Sequence, residues 1–167
     1  MIGLRLPTGD RAGASGRCRS GRGSMRVSVI LEAKGSDVTT IRRTATVGDA
    51  VAELVRHRVG ALVVSPGDGT IEGIVSERDV VRCLSELHAD VLALPVRSVM
   101  SSSVHQCSPD DSVDSIMNLM TEARIRHVPV VSEGLLCGII SIGDVVKSRM
   151  GELEKDRNEL MEYINAR

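Results

Sequence analysis

The chain contains the stretch Gly73-Ile74-Val75-Ser76-Glu77-Arg78-Asp79-Val80-Val81 and repeats it as Gly138-Ile139-Ile140-Ser141-Ile142-Gly143-Asp144-Val145-Val146. The two copies lie 65 residues apart and share the glycine, the apolar pair, the serine and the aspartate. Self-similarity at a fixed separation indicates a repeated supersecondary unit. In each copy the apolar residues predict a buried strand, and the serine with an acid three residues later predicts the start of a helix.

The similarity continues upstream, at a separation of 66 residues. Thr46 and Ser112 are predicted N-caps of two amphipathic helices. The apolar faces of these helices consist of Val47, Val51, Leu54 and Val55 in the first copy and of Val113, Ile116, Met117 and Met120 in the second. After each helix, two apolar runs separated by a Gly-containing turn predict a hairpin. The paired runs are 61–64 with 71–75 and 128–131 with 135–140.

A short extended piece precedes each copy, at residues 38–41 and 104–107, and is predicted to be a strand of the same sheet. Each unit is then β-α-β-β-α, and the fold class is α/β (α+β). A unit of roughly 60 residues has little interior of its own. We therefore expect the two repeats to pack sheet to sheet by pseudo-twofold symmetry into one domain.

The ends of the chain differ from the repeats in composition. Residues 1–24 are rich in Gly, Arg and Ser and show no periodicity, which predicts a disordered tail. An Arg-rich leader is also a feature of organellar transit peptides, although this one lacks their apolar face. Residues 149–167 predict a charged C-terminal helix, with Met150, Leu153, Leu160 and Ile164 at heptad-like spacing. That helix either seeks a partner or packs back on its own domain.

Composition argues against several classes of protein. The tail carries five Arg and one Asp, so the net charge of −1 for the whole chain leaves −5 for residues 25–167. With an acidic body, no Phe or Trp and one Tyr, neither nucleic acid nor a membrane is an expected partner. The four cysteines, Cys18, Cys83, Cys107 and Cys137, have no metal-like spacing, so no metal site is predicted. No catalytic grouping was found either, and the chain is predicted to be a cytoplasmic protein that is not an enzyme.

The doubled motif resembles that of the cystathionine-β-synthase (CBS) domain family, and in particular stand-alone CBS pairs. The resemblance covers roughly residues 26–148 and includes 125–130, Ser76-Glu77-Arg78-Asp79 and Ser141-Ile142-Gly143-Asp144. It divides the chain into a tail (1–24), CBS repeat 1 (25–88), CBS repeat 2 (89–148) and the C-terminal helix (149–167). It implies a regulatory, energy-sensing homodimer that binds AMP, ADP, ATP, NAD(H) or S-adenosylmethionine and modulates a separate, unknown protein.

The resemblance also implies a set of contact residues. A carboxylate in the first turn of a helix can accept both hydroxyls of a ribose, and arginines can bind phosphate in a fork. The expected nucleotide-binding residues are Lys34, Val38, Thr39, Ile41, Ala61, Ser76, Arg78, Asp79, Val104, Gln106, Arg126, His127, Pro129, Ser141 and Asp144. Lys34, Arg78, Arg126 and His127 are expected to neutralise phosphate, and the tighter site is expected at Asp144, Arg126 and His127.

The sequence leaves one alternative to nucleotide binding open. A carboxylate in the first turn stabilises a helix by itself, so Asp79 and Asp144 also fit a purely structural role. The pair would then be a dimerisation or scaffold protein with empty clefts.

Overall fold

The computed structural model describes residues 25–165, in which five α-helices and five β-strands alternate in two similar halves. Residues 1–24 lie outside the described part, so the disordered tail stays a prediction, and Cys18 lies there too. The helices are α1 (Val27–Lys34), α2 (Val47–His57), α3 (Glu77–Leu87), α4 (Val113–Glu122) and α5 (Ile142–Asn165). The strands are β1 (Thr40–Ile41), β2 (Ala61–Val64), β3 (Gly73–Ser76), β4 (His127–Ser132) and β5 (Leu135–Ser141). Short 3-10 helices, His88–Ala93 and Val96–Ser98, link the halves.

Each half contains the predicted hairpin. In the first half, β2 lies between the parallel strand β1 and the antiparallel strand β3. In the second half, β4 pairs with β5 in antiparallel orientation, with a register shift between Val130 and Val131. An equivalent backbone hydrogen bond occurs within each half. Glu77 N–H donates to the Gly60 carbonyl in the first half, and Ile142 N–H donates to the Arg126 carbonyl in the second. The internal symmetry inferred from the sequence is therefore present in the backbone.

The strand predicted at 104–107 is wrong for most of its length. Only Cys107 pairs with the sheet, as an isolated parallel bridge to Val130. The backbone just before this segment pairs with β3 of the first half, where Ser101 and Ile74 exchange two backbone hydrogen bonds of 2.9 and 3.0 Å. Gly73 permits this approach, because a Cβ at that position would lie 3.0 Å from the Ser101 carbonyl oxygen. The segment that links the halves therefore runs across the first repeat instead of extending the second sheet.

Helix α1 was not predicted. Its residues Val27 and Ile30 are buried in the core of the second half, although the helix precedes the first. Its first free amides are satisfied by that half as well, because Val27 N–H donates to the Asp111 carbonyl and Ser28 N–H to the Pro109 carbonyl. Two features of the sequence indicate this helix: the spacing of its apolar residues and the glycine that follows it. In the structure that glycine, Gly35, ends α1 with φ 90°.

The two halves have separate aliphatic cores. The first contains Ile41, Val47, Ala50, Leu54, Leu62, Val64, Val75, Val80, Val91, Val96 and Val99. The second contains Val27, Ile30, Cys107, Val113, Ile116, Met120, Val128, Val130, Ile140 and Val145. Burial raises the pKa of the Cys107 thiol to about 12, with smaller contributions from Asp111 and Cys137, so Cys107 stays protonated and acts as an apolar filler.

The second motif helix and the C-terminal helix form one continuous element, α5. Its first turns pack on the second half, where Val145 is buried and Arg149 forms an ion pair with Asp114 at 3.3 Å. From residue 153 to 165 every residue is exposed, so in the described chain this segment does not pack back on its own domain.

Two features are absent from residues 25–165. The helices in this part of the chain are too short or too polar to span a bilayer. No group of three or more His, Cys, Asp or Glu side chains in that part of the chain is arranged to hold a metal ion.

Candidate functional site

The first motif places Asp79 in a capping box at the start of α3. Asp79 Oδ2 accepts hydrogen bonds from the Ser76 backbone N–H at 3.0 Å and from Ser76 Oγ at 2.6 Å. The other oxygen, Oδ1, accepts from Arg82 Nη2 at 3.1 Å. The Asp79 side chain is only 13% exposed, whereas Arg82 is 60% exposed. The carboxylate is therefore fixed in position, and its partner at Oδ1 is an exposed surface group that a ligand can displace.

The second motif repeats this cap with an additional partner. Asp144 Oδ2 accepts from the Ser141 backbone N–H at 2.8 Å and from Ser141 Oγ at 2.7 Å. Lys34 Nζ donates to the same oxygen at 2.7 Å. Burial opposes the charged form of Asp144, but the hydrogen bonds from Lys34 and Ser141 outweigh it and hold the pKa of this carboxyl below its ordinary value.

A cavity of about 300 Å³ opens between the two halves at the first motif. Three chain segments meet there: the end of β3 with the start of α3, the link between the halves, and the turn before β4. The lining residues are Gly60, Ile74, Ser76, Glu77, Arg78, Asp79, Arg82, Ser101, Ser103, Val104, His105, Arg124, Ile125, Arg126 and His127. The cavity is thus built across the repeat boundary and not within one repeat.

Arginine dominates the charge of this cavity. Arg78, Arg82, Arg124 and Arg126 face two acids, Glu77 and Asp79. Arg78 Nη1 donates to the Arg124 carbonyl at 3.4 Å, which joins the two halves at the rim. Within residues 25–165 the guanidinium groups of Arg124 and Arg126 form no ion pair. The cavity therefore presents an excess of cationic donors to a ligand.

His127 lies at the back of the cavity, against Gly60. A Cβ at Gly60 would lie 3.0 Å from His127 Cε1, so only glycine fits there without a shift. Burial lowers the pKa of His127, and Glu77 opposes this effect only partly. Burial therefore disfavours the charged form of His127, and its expected role in neutralising phosphate stays a prediction.

The comparisons with known proteins identify the family. A sequence model of the CBS domain matches residues 33–86 and 96–151, which together make up more than half of the chain. The chain belongs to the CBS domain family. The expected fold, two repeats that form one CBS pair, is thereby confirmed.

Relatives and solved structures agree with this assignment. The CBS domain-containing protein CBSX3, mitochondrial, from Arabidopsis thaliana is 35% identical over 87% of this chain and 74% of its own length. The crystal structure of the CBS-domain containing protein ATU1752 from Agrobacterium tumefaciens is 42% identical, with a TM-score of 0.73 over 75% of this chain and 99% of that one. The CBS domain pair of protein MJ0100, solved in complex with 5′-methylthioadenosine and S-adenosyl-L-methionine, is 21% identical, with a TM-score of 0.69 over 78% of this chain and 99% of that one. At that identity the likeness to MJ0100 shows the fold alone.

The structure brings some of the predicted site residues together and separates others. The six that line the cavity are Ser76, Arg78, Asp79, Val104, Arg126 and His127. Lys34, Ser141 and Asp144 form a second group at the start of α5. The cavity combines Arg126 and His127 with Asp79. His127 is also near enough to Asp144 and Lys34 for their charges to affect its pKa, so the expected grouping at Asp144 stays a prediction.

The remaining predicted residues do not line the cavity. Ile41 and Ala61 are 8% and 5% exposed, so their side chains belong to the packed interior. Pro129 lies within β4, and Val38, Thr39 and Gln106 lie on the extended segments beside the sheets.

Sequence reasoning also missed residues that the cavity contains. The expected binding residues do not include five that line the cavity: Arg82, Ser101, Ser103, His105 and Arg124. Arg82 lies three residues after Asp79 on a helix, a spacing that puts two side chains on one face. That spacing could have identified Arg82, but no local signal marks the other four.

Proposed function

We propose that this CBS pair is a regulatory module that binds a phosphate-bearing adenosine nucleotide in the cavity at Asp79. The observation that carries the proposal is the meeting, in one cavity, of a fixed and mostly buried carboxylate with unpaired arginines from the other repeat. A structural role as a helix cap uses only Asp79 Oδ2, so it leaves Oδ1 and the arginines unexplained.

Each part of a nucleotide has a matching part of the cavity. The ribose hydroxyls would donate to Asp79, where they displace the exposed guanidinium of Arg82. Ile74, Val104 and Ile125 would cover the adenine, since no Phe, Tyr or Trp lines this cavity. The phosphates would meet Arg78, Arg124 and Arg126, which bind them in charge-assisted hydrogen bonds.

Charge favours a phosphorylated ligand over S-adenosylmethionine. Four arginines against two acids create a positive potential, and at neutral pH S-adenosylmethionine carries a net positive charge. The MJ0100 pair, which was solved with S-adenosylmethionine and methylthioadenosine, supports an adenosine ligand for the fold but does not define the phosphate end. We therefore favour ADP, ATP or NAD(H), with AMP as a weaker ligand.

The test is titration calorimetry of the full chain with AMP, ADP, ATP, NAD, NADH, adenosine and S-adenosylmethionine. We expect ADP and ATP to bind at least about tenfold more tightly than adenosine, because a hydrogen bond to a charged group contributes about 1.5–3 kcal/mol. This advantage should fall as salt is added, since exposed arginines are screened.

Arg126→Ala is the diagnostic variant for this preference. It should weaken ADP binding while leaving adenosine binding nearly unchanged. Equal affinity for adenosine and ADP in the unaltered chain would contradict the phosphate assignment. Absence of binding by every compound would favour the scaffold alternative.

A sensor without catalytic groups must act through conformation and a partner. The ligand can shift the pair only if it binds one arrangement of the two halves better than another. A cavity whose lining comes from both halves has this property, because occupancy holds the halves at one spacing. We propose that a separate protein reads this difference and that the chain itself is not an enzyme.

The exposed part of α5 supports a homodimer. The same observation favours the scaffold alternative, in which dimerisation is the function. Met150, Leu153, Leu160 and Ile164 are 57–65% exposed and recur at heptad-like spacing along the helix. We propose that this stripe packs on a second copy of the chain.

Leu153→Glu with Leu160→Glu should convert the dimer to a monomer, because the charges would be buried in an apolar seam. Light scattering after size exclusion measures the mass. Lys155→Glu places the same charge on the opposite face of the helix and should leave the dimer intact. A dimer that survives the double substitution would exclude this stripe as the interface.

We keep the cytoplasm as the proposed compartment. The name of the Arabidopsis relative places that protein in mitochondria, and residues 1–24 resemble a transit leader only in their arginine content. Fluorescence of a full-length fusion, with and without residues 1–24, distinguishes the two locations.

A further inference from the structure

The second motif has a partner that comes from a distant part of the chain. Lys34 Nζ lies 2.7 Å from Asp144 Oδ2, although the two residues are 110 positions apart. Both side chains are largely enclosed, with 31% and 23% of their surface exposed. At the first motif, by contrast, the basic partner of Asp79 is Arg82 of the same helix.

Helix α1 holds Lys34 at this position. Leu31 packs against Gly138 of the second motif, where a Cβ would lie 2.7 Å from Leu31 Cδ2. Val27 and Ile30 are buried in the same core. Since three residues of α1 are anchored on the second half, the ammonium group at the end of the helix is placed before any ligand arrives.

The ammonium group occupies one of the two carboxylate oxygens that the ribose hydroxyls would use. Asp144 Oδ2 already accepts from the backbone and side chain of Ser141, and Lys34 completes its set of donors. A ribose that binds both oxygens of this carboxylate would have to replace a charged donor at Oδ2 by a neutral one. Such an exchange is unfavourable because charge-assisted hydrogen bonds are the stronger class.

The second cleft also lacks counterparts of key cations. By the repeat offsets, Arg78 corresponds to Gly143 and Arg126 corresponds to Gly60, neither of which carries a charge. The counterpart of Ser103 is Asp37, which adds a negative charge.

Two of the four cavity arginines do keep basic counterparts in the second repeat. Arg82 corresponds to Lys147, and Arg124 corresponds to Arg58. The second cleft is therefore poorer in phosphate donors, although it is not without positive charge.

We infer that Lys34 closes the second cleft by acting as a tethered cation on Asp144, so that the chain binds one nucleotide and not two. This inference rests on the proposed function for the identity of the ligand. The contact between Lys34 and Asp144 does not depend on the first cleft. Lys34 is then the residue that sets the stoichiometry of the pair.

The experiment uses adenosine, because a cleft poor in phosphate donors should accept a nucleoside. It is carried out on the full chain with Asp79→Asn, a substitution that is expected to abolish binding in the first cleft. Adding Lys34→Met removes the ammonium group and keeps the aliphatic stem. We expect Asp79→Asn alone to bind no adenosine and Asp79→Asn with Lys34→Met to bind one equivalent, with an affinity gain of about tenfold or more by calorimetry. A further Asp144→Asn substitution should abolish this binding.

Arg26→Ala is the matched control. Arg26 also ties the α1 region to the second half, through Asp110 at 2.7 Å, but it lies at the opposite end of the helix from Lys34. In the Asp79→Asn background it should not open the cleft. Equal adenosine binding by the Arg26→Ala and Lys34→Met chains would overturn the assignment to Lys34, as would no gain with Lys34→Met.

The unaltered chain provides a separate readout. Two equivalents of ADP bound per chain would overturn the closed second cleft while supporting nucleotide binding at the first. No ADP bound would contradict the proposed function, whereas the adenosine gain in the Asp79→Asn background would still support the closing role of Lys34.

Discussion

Asp79→Asn is expected to reduce ADP affinity by about a hundredfold or more, which is the largest effect on function that the structure predicts. The substitution keeps the size of the side chain, and an amide oxygen can still accept the cap hydrogen bonds from Ser76. It removes the negative charge that would accept both ribose hydroxyls, and a ligand hydrogen bond to a charged group contributes about 1.5–3 kcal/mol. Two such bonds correspond to at least two orders of magnitude in affinity. Titration calorimetry with ADP measures the change directly.

Asp49→Asn is the control for this prediction. Asp49 occupies the same N3 position of a capping box, with Thr46 at the start of α2, and it does not line the cavity. Hydrogen bonds from Thr46 hold the pKa of Asp49 below its ordinary value, so Asp49 is ionised at neutral pH. Both substitutions should destabilise a helix start by a similar amount. Only Asp79→Asn should affect ADP binding. An equal loss of ADP affinity in the two variants would show that Asp79 acts only as a helix cap.

The features that the sequence predicted are those that depend on neighbouring residues. The caps at Thr46, Ser76 and Ser141 are each satisfied by the residue three positions later, and each of the two hairpins pairs strands that follow one another in the chain. Such contacts leave a local pattern, and the pattern occurs twice. The repeat could therefore be recognised and the family assigned before any coordinates were known.

The features that it missed depend on how distant segments pack. Helix α1 has few residues, and its apolar face is stabilised by a half of the molecule that begins more than 60 positions later. The sequence placed Arg126 with Asp144 because both belong to one repeat, whereas the cavity combines Arg126 with Asp79 of the other. The contact of Lys34 with Asp144 also joins residues that are far apart in the sequence. A repeat pattern describes each unit well but does not say which residues of the two units face one cleft.

Leu62→Ala should cause the largest loss of stability among the substitutions considered. Leu62 is fully buried in β2, the central strand of the first sheet, where it packs in the core with residues of β1, α2 and β3. Removal of its branched end leaves a cavity that close-packed neighbours fill only partly. We expect a decrease of about 2–5 kcal/mol in the free energy of unfolding. Thermal or urea denaturation followed by circular dichroism measures it.

Leu87→Ala makes the same chemical change at the end of α3, where the side chain is 47% exposed, and should decrease the free energy of unfolding by less than about 1 kcal/mol. Neither leucine lines the cavity, so ADP should raise the melting temperature of both variants about as much as that of the unaltered chain. That result would separate the two properties: the core determines how much of the chain is folded, and the cleft determines what the folded chain binds. A Leu62→Ala chain that is folded at the assay temperature but no longer responds to ADP would instead show that the cleft depends on the packing of β2.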